Sequence, residues 1–237
     1  MTFQEQNQLN GEEYTSITND GKFLRVKIRG VEFSGRSFDM LDPPPEITEP
    51  LREQFSFFLD ALCSYELDCE IPISIIDEST LHEAILHVHV KLGDPDSSRP
   101  LKMMRIKESG EIIEASPSLN EEILKLTLDF DGKSFVTKGE NLYSSFDEQL
   151  SELKEQLPQN VSIKTCWSCQ YSDYHPAGSG AFGHLACFRN VKDKYCSVKS
   201  KYELMQMWEE RTTYVQEIHL CEEYVKRKPG IGGLYVG

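Results

Sequence analysis

The residues best equipped to do chemistry lie between Cys166 and Cys187, in the run CWSCQYSDYHPAGSGAFGHLAC. Cys166 and Cys169 form a Cys-x2-Cys pair, and a tight turn at that spacing lets two sulfurs reach one metal ion. Cys187 lies beyond a 17-residue connection, a common distance for the second half of a zinc site. No second Cys-x2-Cys follows. The fourth ligand is therefore open among Cys221, Cys196, His184, His219 and His175. Cys221 is preferred, because it ends a strand-like run before a charged segment, where its side chain can sit at a sheet edge near the knuckle. Cys196 falls inside the strand-like run Tyr195–Val198, where a small apolar thiol is unremarkable. The expected cofactor is one structural Zn2+ on Cys166, Cys169, Cys187 and Cys221. Buried free cysteines are the plain alternative. A redox dithiol fits less well, since the motif opens no clear helix to lower a thiol pKa.

Asp173 and His175 follow the cysteine pair closely and could act as acid and base over a catalytic zinc with one open position. The plainer reading makes them exposed loop residues. Gly178-x-Gly180-x-x-Gly183 matches a dinucleotide fingerprint in letters only. A loop precedes it and the strand-like Leu185–Arg189 follows, where the fingerprint needs a strand and then a helix. His87 and His89 stand two apart on the polar side of an alternating run, and such a pair can bind a metal. No further ligand is obvious nearby, so a solvent-facing pair is the simpler expectation. There is no Walker A motif, no Gly-x-Ser-x-Gly and no His-Glu-x-x-His.

The run C-W-S-C-Q-Y-S-D-Y-H-P-A-G-S-G-A-F-G-H-L-A-C-F-R-N, with C-E-E-Y-V-K-R-K-P-G-I-G-G near the end, resembles an uncharacterised family of bacterial proteins of about this length. The resemblance covers the C-terminal third. It implies that the matching thiols are Cys166, Cys169, Cys187 and Cys221. Chains of that family often end in a shorter Gly-Tyr-Arg-Gly-like tail, and this one departs with Gly-Leu-Tyr-Val-Gly. The resemblance implies no activity.

The chain of 237 residues carries a net charge of −14, which opposes binding to a phosphate backbone. The charge is uneven: residues 1–159 hold 15 Lys and Arg against 31 Asp and Glu, and residues 160–237 hold 10 against 8. An acidic N-terminal part could face a basic protein partner, in the manner of an immunity or antitoxin protein, or serve solubility alone. A basic set at Lys192, Lys194, Lys199, Lys201 and residues 226–228, beside Trp167 and Tyr171, offers a nucleic-acid reading that the overall acidity opposes. No apolar run reaches the roughly 20 residues of a membrane span. The first residues have neither the basic nor the apolar region of a signal peptide. With an odd number of cysteines, 7, a reducing, cytoplasmic setting without membrane or nucleic acid is expected.

The elements that must position these residues read as α+β, with mostly antiparallel sheets, about three packed helices and a C-terminal zinc-knuckle-like region. A hairpin is expected around Asn19-Asp20-Gly21, with Leu24, Val26 and Ile28 inward. Leu51, Phe55, Phe58, Leu59 and Leu62 form a helical stripe capped by Thr48. Cys69, Ile71, Ile73 and Ile75 alternate as a strand, as do Ala84, Leu86, Val88 and Val90. Strands follow at Met103–Lys107, Leu124–Phe130 and Ser134–Thr137, the last two joined by Asp131-Gly132. Ser145-x-x-Glu148 and Ser200-x-x-Glu203 read as capping boxes opening helices. A strand leads from Val161 to the cysteines, and a last one spans Tyr214–Cys221. The division expected is an acidic part, 1–158, and a cysteine-containing part, 159–237, or one continuous domain.

Overall fold

A two-stranded hairpin of unusual length carries the N-terminal part of the fold. The computed structural model describes residues 15–58, 61–93, 105–106, 112–114, 123–139, 145–178 and 183–228. In chain order the elements are β1 (Thr15–Ser16), β2 (Thr18–Asn19), β3 (Leu24–Ile28), β4 (Val31–Gly35), β5 (Leu41–Asp42), α1 (Glu49–Arg52) and β6 (Ser56–Phe58). Then come β7 (Ala61–Asp77), β8 (Thr80–Leu92), β9 (Arg105–Ile106), β10 (Ile112–Glu114), β11 (Ile123–Phe130) and β12 (Lys133–Val136). The rest are α2 (Phe146–Gln156), β13 (Val161–Lys164), β14 (Ser172–Asp173), β15 (His184–Cys187), α3 (Lys192–Ser197), α4 (Lys201–Gln206) and β16 (Thr213–Gln216).

Strands β7 and β8 pair antiparallel from Tyr65↔Leu92 to Asp77↔Thr80. On one face they bury Leu67, Cys69, Ile71, Ile73 and Ile75 against Leu86, Val88 and Val90. Strand β11 extends that face with Leu124, Leu126 and Leu128. Helix α2 lies over it with Phe146, Leu150 and Leu153. Its first turn is closed as expected: Ser145 Oγ accepts from the Glu148 N–H, and the Glu148 carboxylate accepts from the Ser145 N–H. Asp131 and Gly132 both take positive φ in the β11–β12 turn, as do Arg29 and Gly30 between β3 and β4. That is the geometry that suits the twist of two-residue hairpins. The β3 face falls as read, with Leu24, Val26 and Ile28 buried.

Four expectations are corrected. The helix over Leu51–Leu62 is a single turn, α1, in which Leu51 is exposed and Thr48 makes no side-chain cap. The chain then enters β6 and β7. Phe55 and Phe57, alternate residues, both reach Phe33, with ring centroids at 5.0 and 6.4 Å. Pairing with a distant strand overrides the local helical spacing. The run Tyr195–Val198 lies in and just after helix α3 rather than in a strand; Tyr195 and Val198, three apart, are its buried residues. The last strand stops at Gln216, so Cys221 follows a turn rather than ending a strand. At the other capping motif Ser200 accepts from the Glu203 N–H, but Glu203 reaches the Lys199 N–H instead of closing the box. The strand read at Met103–Lys107 is described only at β9, and the loop after Gly93 lies outside the described residues.

The architecture is α+β and mostly antiparallel, with β1 against β7 the parallel pair. Four short α-helices stand among the described residues. The large sheet continues across Pro158, because β13 pairs with β7 from Val161↔Asp77 to Lys164↔Ser74. A separate sheet, β14-β15-β16, follows it.

Gly35 is the tightest backbone crossing. A Cβ there would lie 1.7 Å from the Met40 carbonyl oxygen, where β4 turns back into β5. Gly35→Ala should separate these strands and lower stability by about 3 kcal/mol in urea unfolding. An unchanged midpoint would mean that the crossing opens freely.

Candidate metal centre

Strand β13 hands the chain to a single 3-10 turn, Cys166–Ser168, which sets the spacing of the first two thiols. The Cys169 N–H bonds back to the Cys166 carbonyl at 3.2 Å. The C-terminal segment then grips this knuckle from both sides. The N–H groups of Cys166 and Trp167 donate to the carbonyls of His219 (3.0 Å) and Glu217 (2.9 Å). Gln170 donates to Val225 (2.7 Å), Arg227 donates back to Ser168 (3.1 Å), and Cys169 bridges Lys226. The Arg227 guanidinium adds bonds to the carbonyls of Cys169 and Ser172. Cys187 arrives by a different route, at the end of β15, opposite Ser172 of β14 and Thr213 of β16.

These connections bring Cys221 to Cys166, with Cys169 and Cys187 in the neighbourhood. The Cys166 thiol donates to Cys221, and that bond, with burial and the nearby Cys169, Cys221 and Cys187, pushes its pKa far up. Cys221 moves the other way, to about 5, because it accepts from Cys166, from the Glu223 N–H and beside the Arg189 cation. The Arg189 guanidinium stands 3.9 Å from the Cys221 sulfur. Burial raises Cys187, opposed by the N–H and charge of Arg189. Each of these two sulfurs thus takes a backbone N–H from the residue two positions on, a bond that favours thiolate over thiol. Among the described residues, which include all four cysteines, no group of three or more His, Cys, Asp or Glu side chains stands where it could hold a metal ion, so the expected zinc-knuckle-like region is not supported as such. Thiols are the donor type a soft divalent ion takes, and N–H groups and the Arg189 charge favour the thiolate at Cys187 and Cys221.

The other candidates lie elsewhere or do other work. Cys69 is sealed in the large sheet, its thiol on the Val88 carbonyl and its pKa raised by burial. Cys196, on α3, takes a bond from the Gln170 amide at 3.7 Å. His184 stands edge-on to Tyr214, and burial lowers its pKa. His175 stands edge-on to Trp208 and accepts from the Ala177 N–H. His219 is the histidine coupled to a thiol: burial lowers its pKa and Cys221 opposes that. Asp173 is no exposed loop residue. It is fully buried, and its carboxylate accepts from the Tyr195 hydroxyl at 3.1 Å and the Tyr174 N–H at 3.0 Å. Of the Gly178–Gly183 motif, residues 179–182 lie outside the described residues, and β15 follows as a strand.

Sequence reasoning missed the supports. Trp167 Nε1 donates to Asp147 at 2.6 Å, tying the knuckle to the first turn of α2. Tyr174 donates to Glu217, also at 2.6 Å, in the interior. Arg189 and Glu223, each two residues after a cysteine, are the one signal in the sequence that would have found the sulfur-bound N–H groups.

The chain belongs to a family of unknown function, DUF6304, whose model matches residues 9–172. The match takes in the large sheet, α2 and the pair Cys166 and Cys169. Cys187 and Cys221 lie beyond it, in the C-terminal third that carried the resemblance. No curated protein and no solved structure matches the chain.

Glu217 is fully buried, and burial holds its carboxyl well above its usual value of 4.5, with Tyr174 opposing and Asp147 adding to the rise. Burial also raises Asp39 and Asp147. A carboxyl raised in the folded state keeps its proton while the unfolded chain loses one. Its contribution is full below pH 4.5 and falls as pH rises through the folded value. Glu217→Gln retains the acceptor for Tyr174. It should therefore flatten the loss of stability as pH rises above 4.5, read by chemical denaturation with chelator present. Parallel curves for variant and wild type would show that Glu217 is not a source of that slope.

Proposed function

We propose that this protein is a non-enzymatic, cytoplasmic protein in which one Zn2+ on Cys166, Cys169, Cys187 and Cys221 staples the C-terminal part, while the acidic N-terminal part engages a protein partner. The observation that carries the metal half is the mutual coupling of these four thiols, with backbone N–H groups and Arg189 turned toward the sulfurs of Cys187 and Cys221. Four soft thiolates, two from the Cys166–Cys169 turn, one from the end of β15 and one from the segment after β16, would make a closed four-sulfur set, and closed sets serve structure. All seven cysteines are free, which suits a reducing compartment. No helix among the described residues is long and apolar enough to cross a membrane.

A zinc hydrolase with an open position near Asp173 and His175 is the other reading. The commitment of Asp173 to Tyr195 in the interior and of His175 to Trp208 favours the closed set instead. The partner-binding half is supported by charge: the acidic excess lies in residues 1–159. An immunity or antitoxin-like role, neutralising a basic protein, is the concrete form of that reading.

Zinc content and X-ray absorption of the purified chain test the metal half. One zinc with four sulfur neighbours is expected, lost in Cys169→Ser and Cys187→Ser and retained in Cys63→Ser and Cys196→Ser. Chelation should lower the unfolding midpoint, since metal bound only by the folded chain stabilises it. Zinc with fewer sulfurs and a water would sink the staple and revive the hydrolase. A metal-free chain purified without chelator would remove both.

A further inference from the structure

The face of the large sheet opposite its core has a composition that solubility does not require. Across β7, β8 and β11 the outward positions are those alternating with the buried ones. They run Glu66, Asp68, Glu70, Pro72, Ser74 and Ile76 on β7, Leu81, Glu83, Ile85, His87, His89 and Lys91 on β8, and Ile123, Lys125, Thr127 and Asp129 on β11, so that carboxylates outnumber the two lysines. None of these is buried. The register sorts them into two zones. At the β7–β8 turn, Leu81 sits opposite Ile76 and Ile85 opposite Pro72, and Leu81 is 56% exposed. Further along, each histidine stands between carboxylates. His87 lies 3.6 Å from Glu70 and 3.5 Å from Asp129 of β11. His89 lies 2.8 Å from Asp68 and 3.8 Å from Glu66. The two imidazoles of β8 thereby stand between three carboxylates of β7 and one of β11.

We infer that this face is the docking surface for a protein partner whose own surface presents Lys and Arg around an apolar centre, Leu81 and Ile85 receiving the apolar part and Glu66, Asp68, Glu70 and Asp129 the cations. The inference rests on the protein-binding reading above and adds the place. Charge complementarity selects the occupant. A second copy would bring the same carboxylates against these, and a nucleic acid would bring phosphates. An apolar patch beside charged groups on the open face of a rigid sheet is what a specific interface uses, the apolar part for affinity and the charges for orientation.

The test joins the tagged full-length chain to proteins of a nuclease-treated extract of its source cells with a water-soluble carbodiimide, which links carboxylates directly to lysines, and locates the links by mass spectrometry. One basic protein is expected, linked through Glu66, Asp68, Glu70 or Asp129. Its yield should fall about tenfold in the triple variant Asp68→Asn, Glu70→Gln, Asp129→Asn and in Leu81→Ser, both unfolding near the wild-type midpoint. The triple variant Glu49→Gln, Glu53→Gln, Glu155→Gln loses as many charges elsewhere and should capture like wild type. Capture that the face variants do not weaken, with links outside the face, overturns the docking site and leaves the protein-binding reading standing. Equal loss in both triple variants reduces the attraction to net charge and overturns the site. Links between two copies give the face to self-association. Capture of no basic protein by wild type removes both the site and the reading beneath it.

Discussion

Every peptide group along β7 must find a hydrogen-bond partner, and that demand organises the fold. The strand runs 17 residues, far longer than its neighbours other than β8. One edge is met almost throughout by β8. Near its start Leu62 has a partner on each edge, Phe57 of β6 and Leu41 of β5, and the edge away from β8 is then met in pieces, by the parallel β1 at Cys69 and Glu70 and by β13 from Ser74 to Asp77. Pro72, which has no N–H to offer, sits in the interval between β1 and β13. The order of elements follows from this edge. Residues from the beginning of the chain and residues from beyond α2 are held on the same strand, so the parts before and after Pro158 share one sheet.

The cysteine knuckle inherits its position from that edge. Strand β13 fixes where Cys166 begins, and Trp167, bonded to Asp147, fixes its distance from α2. The segment from Glu217 to Arg227 then closes on this turn by backbone pairing and the Arg227 guanidinium, carrying Cys221 to Cys166. Burial and thiol contacts push Cys166 and Cys221 in opposite directions, one toward keeping its proton and one toward losing it. A divalent ion held by these four residues would require each sulfur still carrying a proton to release it to water, and its double charge would then offset the thiolates.

What the sequence made legible was the part decided by near neighbours. The Asp131-Gly132 turn, the alternation of β3, β7 and β8, and the capping box at Ser145 depend on residues within a few positions, and all stand as read. Phe55 and Leu62 satisfy a helical spacing equally well, and only the distant Phe33 and Leu41 make them part of a sheet. Tyr195 and Val198 were taken for a strand because their neighbours suit one; the stacked ring of Phe188 at 4.7 Å decides for a helix. In the cysteine stretch the residue types and the Cys-x2-Cys turn were visible. The meeting of Cys221 with Cys166 was not, since it is made by carbonyls of residues 217, 219 and 225, whose side chains say nothing about it.

The C-terminal segment also reaches the other end of the molecule. The Gln216 amide donates to the Arg36 carbonyl at 3.2 Å, and the ring of His219 fills the space beside Gly21, where a Cβ would come within 2.8 Å of it. The segment that brings Cys221 to the knuckle therefore also holds the β2–β3 turn and the chain just after β4. Closing four sulfurs on one ion would tighten the span from Gln216 to Arg227 and, through these two contacts, the N-terminal hairpins.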